Sequence, residues 1–157
     1  MQKTVCFTGH RFIPDEEYES LWLSLTDTVE KEIQNGAEIF RTGGALGFDT
    51  MAARCVLFLK NKYPHVRLEL ILPCPGQTKG WGRDDVRLYE QIRSEADAHR
   101  YLSDHYYPGI LQARNRALVE GAELCIAYLT HSQGGTAYTV SLALRSGVTL
   151  INLGDPI

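Results

Sequence analysis

The sequence predicts an α/β domain of three layers, built on a mostly parallel, doubly wound sheet. Short apolar runs alternate with helix-patterned segments from one end of the chain to the other. Three of these runs end in polar turns that contain glycine. One run, AELCIAYL, is apolar almost throughout, as suits a strand buried on both faces.

The elements follow in order. Thr4 to Phe7 is a β-rich run that ends at Thr8-Gly9. Pro14 and Asp15 open a helix whose apolar positions Tyr18, Leu21, Trp22, Leu25, Val29 and Ile33 keep helical spacing. Gly36 stops it. Ala37 to Arg41 is the second strand, and a helix follows from near Gly47 with Met51, Cys55, Val56 and Leu59 on one side. Val66 to Leu72 is the third strand, closed by Pro73-Cys74-Pro75-Gly76 and a loop to Gly82. A helix then runs from Asp84 to Glu95, and a short strand from His99 to Leu102. Pro108 to Glu120 is helical, Ala122 to Leu129 is a strand, Gly134 to Ser146 is the last long helix, and Val148 to Leu153 the last strand. Strand and helix in strict alternation imply a parallel, Rossmann-like sheet with right-handed crossovers. All strand C-termini then share one edge, where ligands bind at the switch point.

Composition narrows the function classes. The 157 residues fit one domain spanning 1–157. The net charge is −3, and Lys and Arg are scattered without a basic run, so nucleic acid is an unfavoured partner. No apolar stretch reaches the ~20 residues of a membrane span. The N-terminus, MQKTVCFTGHR, lacks the apolar core of a secretory leader. The C-terminus follows the last strand directly, so no further domain is expected. The four cysteines are far apart and read as buried free thiols of a cytoplasmic protein rather than disulfides or metal ligands. No His/Cys cluster supports a metal.

The chemistry sits in the loops. Thr8-Gly9-His10-Arg11, Thr42-Gly43-Gly44-Ala45-Leu46-Gly47-Phe48-Asp49 and Thr130-His131-Ser132-Gln133-Gly134-Gly135-Thr136 all follow strands. Glycine lets backbone approach a ligand closely, and the N–H groups of a following helix favour an anion. The Gly43–Gly47 segment departs from the dinucleotide pattern and has no P-loop lysine. Taken by itself it reads equally as a phosphate loop or a tight packing turn. Gly134 and Gly135 at a second helix start shift the balance toward phosphate, with Thr136 as a hydroxyl donor or a simple cap. Arg11 can clamp a phosphate or pair with Asp15, Glu16 or Glu17. His10 can bond the ligand or cap its loop. Arg114 follows Leu111 by three residues, which places it on the buried side of its helix, where a charge needs a partner or a ligand. Asp49 can accept from a ribose hydroxyl, act as a catalytic carboxylate, or favour the helix dipole. Trp81 is the candidate for stacking on a base, and equally for a lid or dimer contact. Tyr106 and Tyr107 read as packing or oligomer contacts.

FTGHR after the first strand, GGALGFD after the second, LPCPGQ after the third, the helical RNR and SQGGTAYTV together resemble the YpsA-like branch of the SLOG superfamily. The wider superfamily includes the LOG cytokinin-activating phosphoribohydrolases and the DNA-processing protein A of natural transformation. The resemblance implies a Rossmann-like parallel sheet with a nucleotide site at the strand C-termini. It places that site on Gly9, His10, Arg11, Gly43, Gly44, Gly47, Asp49, Arg114, Asn115, Gly134, Gly135 and Thr136. It carries a site and no reaction. LOG hydrolases have the signature Pro-Gly-Gly-x-Gly-Thr-x-x-Glu with a catalytic Glu. Here Gln133 stands in the proline position, and Ala137, Tyr138, Thr139 and Val140 follow Thr136 without a carboxylate.

Three functions are therefore expected in descending order. The first is a sensor or binding domain for ADP-ribose, NAD or a nucleoside phosphate, with no certain cofactor. The second is a nucleotide N-glycosidase in which Asp49 replaces the missing Glu. The third is single-stranded nucleic-acid binding. A homodimer is a further expectation.

Overall fold

The structure, a computed structural model, describes residues 3–154. Met1 and Gln2, the start of the segment read for a leader, lie outside them, as do residues 155–157. Six strands alternate with five helices: β1 (Lys3–Gly9), α1 (Asp15–Gln34), β2 (Ala37–Thr42), α2 (Phe48–Lys60), β3 (Arg67–Leu72), α3 (Arg83–Glu95), β4 (Ala98–Tyr101), α4 (Ile110–Val119), β5 (Leu124–Tyr128), α5 (Gly135–Arg145) and β6 (Thr149–Asn152). The strands form one sheet in the order β4-β3-β2-β1-β5-β6. Every pairing is parallel, so the sheet is parallel throughout rather than mostly so.

Side chains alternate across the central strands, and each face builds its own core. Val5, Phe7, Phe40, Leu68, Leu70 and Ile126 pack against α1, α2 and Ile92 of α3. Cys6, Ile71, Cys125 and Ala127 pack against Leu118 and Val119 of α4 and Val140 and Ala143 of α5. This is the three-layer arrangement that the alternating pattern predicts. In α1 the acids Asp15, Glu16 and Glu17 occupy the first turn, where the dipole favours them. Its buried stripe is Leu21, Leu25, Val29 and Ile33, spaced by one turn. Tyr18, counted with that stripe in the sequence, is 43% exposed. No helix of the described residues is long and apolar enough to cross a membrane.

A second departure lies in α4. Leu111 is 39% exposed and does not mark the buried side. Ile110, Arg114 and Leu118, each four residues apart, do. Arg114 is buried as expected, but its burial follows from Ile110 and not from Leu111.

Candidate functional site

Along the sheet, β1 to β4 run to one side and β5 and β6 to the other. The order reverses between β1 and β5, whose pairing continues to Gly9 and Tyr128. Beyond that pair the two chains diverge, one into α1 and the other into α5. A cleft of about 430 Å³ opens there. Of the residues expected at a site, Gly9, His10, Arg11, Asp49, Arg114, Asn115, Gly134, Gly135 and Thr136 line it. Thr8, Leu111, His131 and Gln133 line it too, although the sequence does not mark them as site residues. A wider hollow of about 530 Å³ between the C-terminal ends of α4 and α5 has only apolar side chains buried in its wall, such as Val119 and Val148.

Gly43, Gly44 and Gly47 stand behind the cleft wall and admit close packing. A Cβ on Gly43 would lie 2.8 Å from Nη1 of Arg114, and one on Gly44 2.6 Å from Leu72. A Cβ on Gly47 would lie 2.2 Å from the Arg11 carbonyl oxygen. Gly9, although at the cleft, is equally constrained, since a Cβ would meet the Phe48 ring at 2.4 Å. Gly135 differs. It opens α5, and a Cβ there would meet nothing closer than Asn115 Nδ2 at 3.7 Å.

Arg114 is 6% exposed. Its Nη1 donates to the Gly43 carbonyl at 2.6 Å and its Nε to Asn115 Oδ1 at 3.2 Å. Its other N–H groups have no partner among the described residues. Burial pulls its pKa below the ordinary arginine value, and the charge of Asp49 opposes that pull. Asp49 is itself buried, with Oδ2 accepting the Ala45 N–H at 3.2 Å. Burial raises its pKa, while Arg114, the Ala45 N–H and Arg11 act against the rise. Arg11 is exposed and has no ion pair among the described residues, so none of Asp15, Glu16 or Glu17 holds it. The Thr136 side chain is buried at the start of α5, and its hydroxyl has no hydrogen bond among the described residues.

His10 accepts the Thr130 N–H at Nε2 and stacks on His131 with ring centres 4.0 Å apart. Burial, and then His131, lowers its pKa. His131 was missed because its partner ring stands on a different loop, and neither loop's sequence indicates the stack. Trp81 does not line the cleft. It lies edge-on to Tyr89 at 5.6 Å, Tyr89 donates to Gln77 Oε1, and Gln77 Nε2 donates to the Gly43 carbonyl. Among the described residues no three His, Cys, Asp or Glu gather to hold a metal.

The chain matches a family model described as the YspA SLOG family over residues 12–147. It is 29% identical over 119 residues to the uncharacterized SPbeta prophage-derived protein YoqJ of Bacillus subtilis, covering 68% of this chain and 70% of that protein. It is 32% identical over 97 residues to a UPF0398 protein of Levilactobacillus brevis, covering 59% of this chain and 51% of that one. Among solved structures it is similar to DNA processing protein A from Helicobacter pylori, described for its single-stranded DNA binding mode. The TM-score is 0.70 at 20% identity, over 98% of this chain and 66% of that one. The same protein from Streptococcus pneumoniae gives 0.67 at 16%, over 96% of this chain and 50% of that one. At these identities the likeness is one of fold. This chain thus spans about half of the Levilactobacillus and Streptococcus proteins.

One expectation is corrected here. Net charge set nucleic acid aside as a partner, yet the Helicobacter protein with this fold is described by its binding of single-stranded DNA. Net charge averages over the whole surface, whereas here Arg11 and Arg114 reach one cleft whatever the sum is. With a parallel Rossmann-like sheet, loops that converge at its switch point and a family match across most of its length, the chain belongs to the YspA SLOG family.

Proposed function

We propose that the cleft between β1 and β5 binds the phosphate of a nucleotide-type ligand such as ADP-ribose, NAD or a nucleoside phosphate. The observation that carries this reading is the pair Arg114 and Thr136. Both are more than nine-tenths buried, both line the cleft, and both keep donors unused by the chain. Their free donors open onto the cleft, where an anion that enters can take them up in charge-assisted hydrogen bonds. The first N–H groups of α5 point the same way, since no side chain caps them. The volume suits a ligand of mononucleotide size. All four cysteines are free, in keeping with a cytoplasmic protein.

A thermal-shift series with nucleoside mono-, di- and triphosphates, NAD and ADP-ribose tests the reading. Ligand at 100 times its Kd is expected to add about 2.7 kcal/mol, a rise of several degrees. Arg11→Ala is expected to lose most of that rise with little change in the ligand-free Tm, because Arg11 is exposed and no ion pair holds it among the described residues. A flat series in the wild type would overturn the reading.

Gly135→Ala gives a sharper test. Neither packing nor a left-handed backbone requires glycine there. Alanine is expected to leave the free protein as stable, or to stabilise it by about 0.5–1 kcal/mol. It is expected to weaken ligand binding at least tenfold by placing a methyl group over the α5 N–H groups. Unchanged affinity would remove the α5 terminus from the site.

Turnover is settled in the same samples. We assign Asp49 to holding its loop, because Oδ2 is engaged by the Ala45 N–H. Free base released on long incubation with nucleoside monophosphates would instead make Asp49 the carboxylate of an N-glycosidase.

A second reading places the phosphate within single-stranded DNA. The Helicobacter likeness favours it, as does Phe12, 75% exposed beside Arg11, where a base can stack. Anisotropy of a labelled oligonucleotide at low salt checks it, with Phe12→Ala expected to weaken binding. No binding at low salt, where such affinity is greatest, would exclude it.

A further inference from the structure

The backbone of His10 is fixed on both sides. Its N–H donates to the Tyr128 carbonyl at 3.3 Å, and its carbonyl accepts the Phe48 N–H at 3.1 Å. The imidazole reaches the opposite loop. Because the Thr130 backbone N–H donates to Nε2 at 2.9 Å, Nε2 carries no proton and Nδ1 does. The ring lies 6° from parallel with His131 and edge-on to Tyr128 at 5.8 Å. Past Thr130, residues 131–133 make no hydrogen bond among the described residues, Gly134 accepts only the Tyr138 N–H of α5, and all four are exposed.

We propose that His10 is a positioning residue of the cleft: by accepting the Thr130 N–H and stacking on His131, it docks the loop that leads into α5 onto the loop that follows β1. That loop ends in Gly134 and Gly135, so its docking sets where the α5 N–H groups point.

The contact depends on protonation. A proton on Nε2 removes the acceptor and leaves a cation stacked on a second imidazole. The ionisable groups around the ring are His131 and Tyr128 from the β5 side, Arg11 on its own loop, and Asp49 and Arg114 across the cleft. Burial and His131 hold the His10 pKa below 6.5. A lowered histidine pKa contributes stability that is present above the unfolded value and lost as pH falls through the folded value. The docked loop is therefore the neutral-pH form, and acidification releases it. This sign is opposite to simple attraction, in which an added positive charge only strengthens anion binding.

NMR of the ¹⁵N-labelled full chain without ligand tests this between pH 8 and pH 5. At pH 8 the His10 nitrogens are expected to show a protonated Nδ1 and a bare Nε2. The Thr130 amide is expected to shift with the His10 titration, and its hydrogen-exchange protection factor to fall at least tenfold. His10→Gln keeps an acceptor that does not titrate, so Thr130 is expected to stay protected at every pH. His10→Ala is expected to lose protection at every pH. A Thr130 amide that remains protected through the His10 titration overturns the proposal, as does one that remains protected in His10→Ala. The wild-type titration stands without either variant. It uses no ligand, so its failure is distinct from failure of the phosphate reading.

Discussion

Gly47→Ala is expected to destabilise the chain by about 4 kcal/mol, combining roughly 1–3 kcal/mol of backbone strain with a similar cost of overpacking. The residue has φ +80°, and its added Cβ would lie 2.2 Å from the Arg11 carbonyl oxygen. The obstacle is backbone, so no rotamer relieves it. The neighbouring Phe48 N–H donates to the His10 carbonyl at 3.1 Å, which pins the two loops at that distance. Gly36→Ala is the control. It also has a positive φ, +100°, but nothing stands within 4 Å of its Cβ position. It is expected to cost only the strain, about 1–2 kcal/mol. The difference between the two variants measures the loop crossing. Urea denaturation reads both, and roughly 10 °C of Tm should separate Gly47→Ala from the wild type. Equal losses would show that the loops after β1 and β2 part freely, and the cleft would then have no fixed wall at Arg11.

The same glycine shows how far the sequence could be read. Strand and helix alternation gave the sheet, because each strand end is marked by a change from apolar to polar-glycine composition. Local pattern does not reveal what stands opposite a residue. The Gly43–Gly47 segment reads equally as a phosphate loop or a tight packing turn, and in the fold Gly9, Gly43, Gly44 and Gly47 make room for Phe48, Arg114, Leu72 and Arg11. Only in three dimensions does Gly135 separate from them. Arg114 was assigned to the buried side through Leu111, yet the buried row is Ile110, Arg114 and Leu118. Three- and four-residue spacings mark the same helix face, and the choice between them depends on where the sheet lies. The His10–His131 stack joins loops far apart in the chain, and its signal is strand order, which one strand's sequence does not contain. The charge argument against nucleic acid failed for a related reason, since it summed residues that the fold separates.

Arg114→Met is expected to cost about 3 kcal/mol and to abolish the response to nucleotides. Methionine keeps much of the side-chain length and apolar contact while removing the charge. Removing one partner of a buried charged pair costs about 3–5 kcal/mol, because the other charge is left in a poor solvent. Asp49, buried and already raised in pKa, senses the Arg114 charge without forming an ion pair with it, so the expected loss lies at the low end of that range. The Gly43 carbonyl also loses its 2.6 Å donor and keeps only the Gln77 amide at 3.4 Å. Without Arg114 the Asp49 pKa is expected to rise further. A carboxyl whose folded pKa lies above its unfolded value contributes stability below the unfolded value, lost as pH rises through the folded one. The deficit of Arg114→Met should therefore be larger at pH 8 than at pH 5. Asp49→Asn in the same chain removes the stranded charge and keeps an acceptor for the Ala45 N–H. The double variant should then recover part of the loss, with a coupling energy of at least about 1 kcal/mol. Denaturation of the four proteins at both pH values reads the cycle. A deficit that is independent of pH and additive with Asp49→Asn would mean that the two charges do not sense each other. Arg114 would then be buried without a counter-charge in the chain, and an anion in the cleft would be left as the partner that offsets its burial.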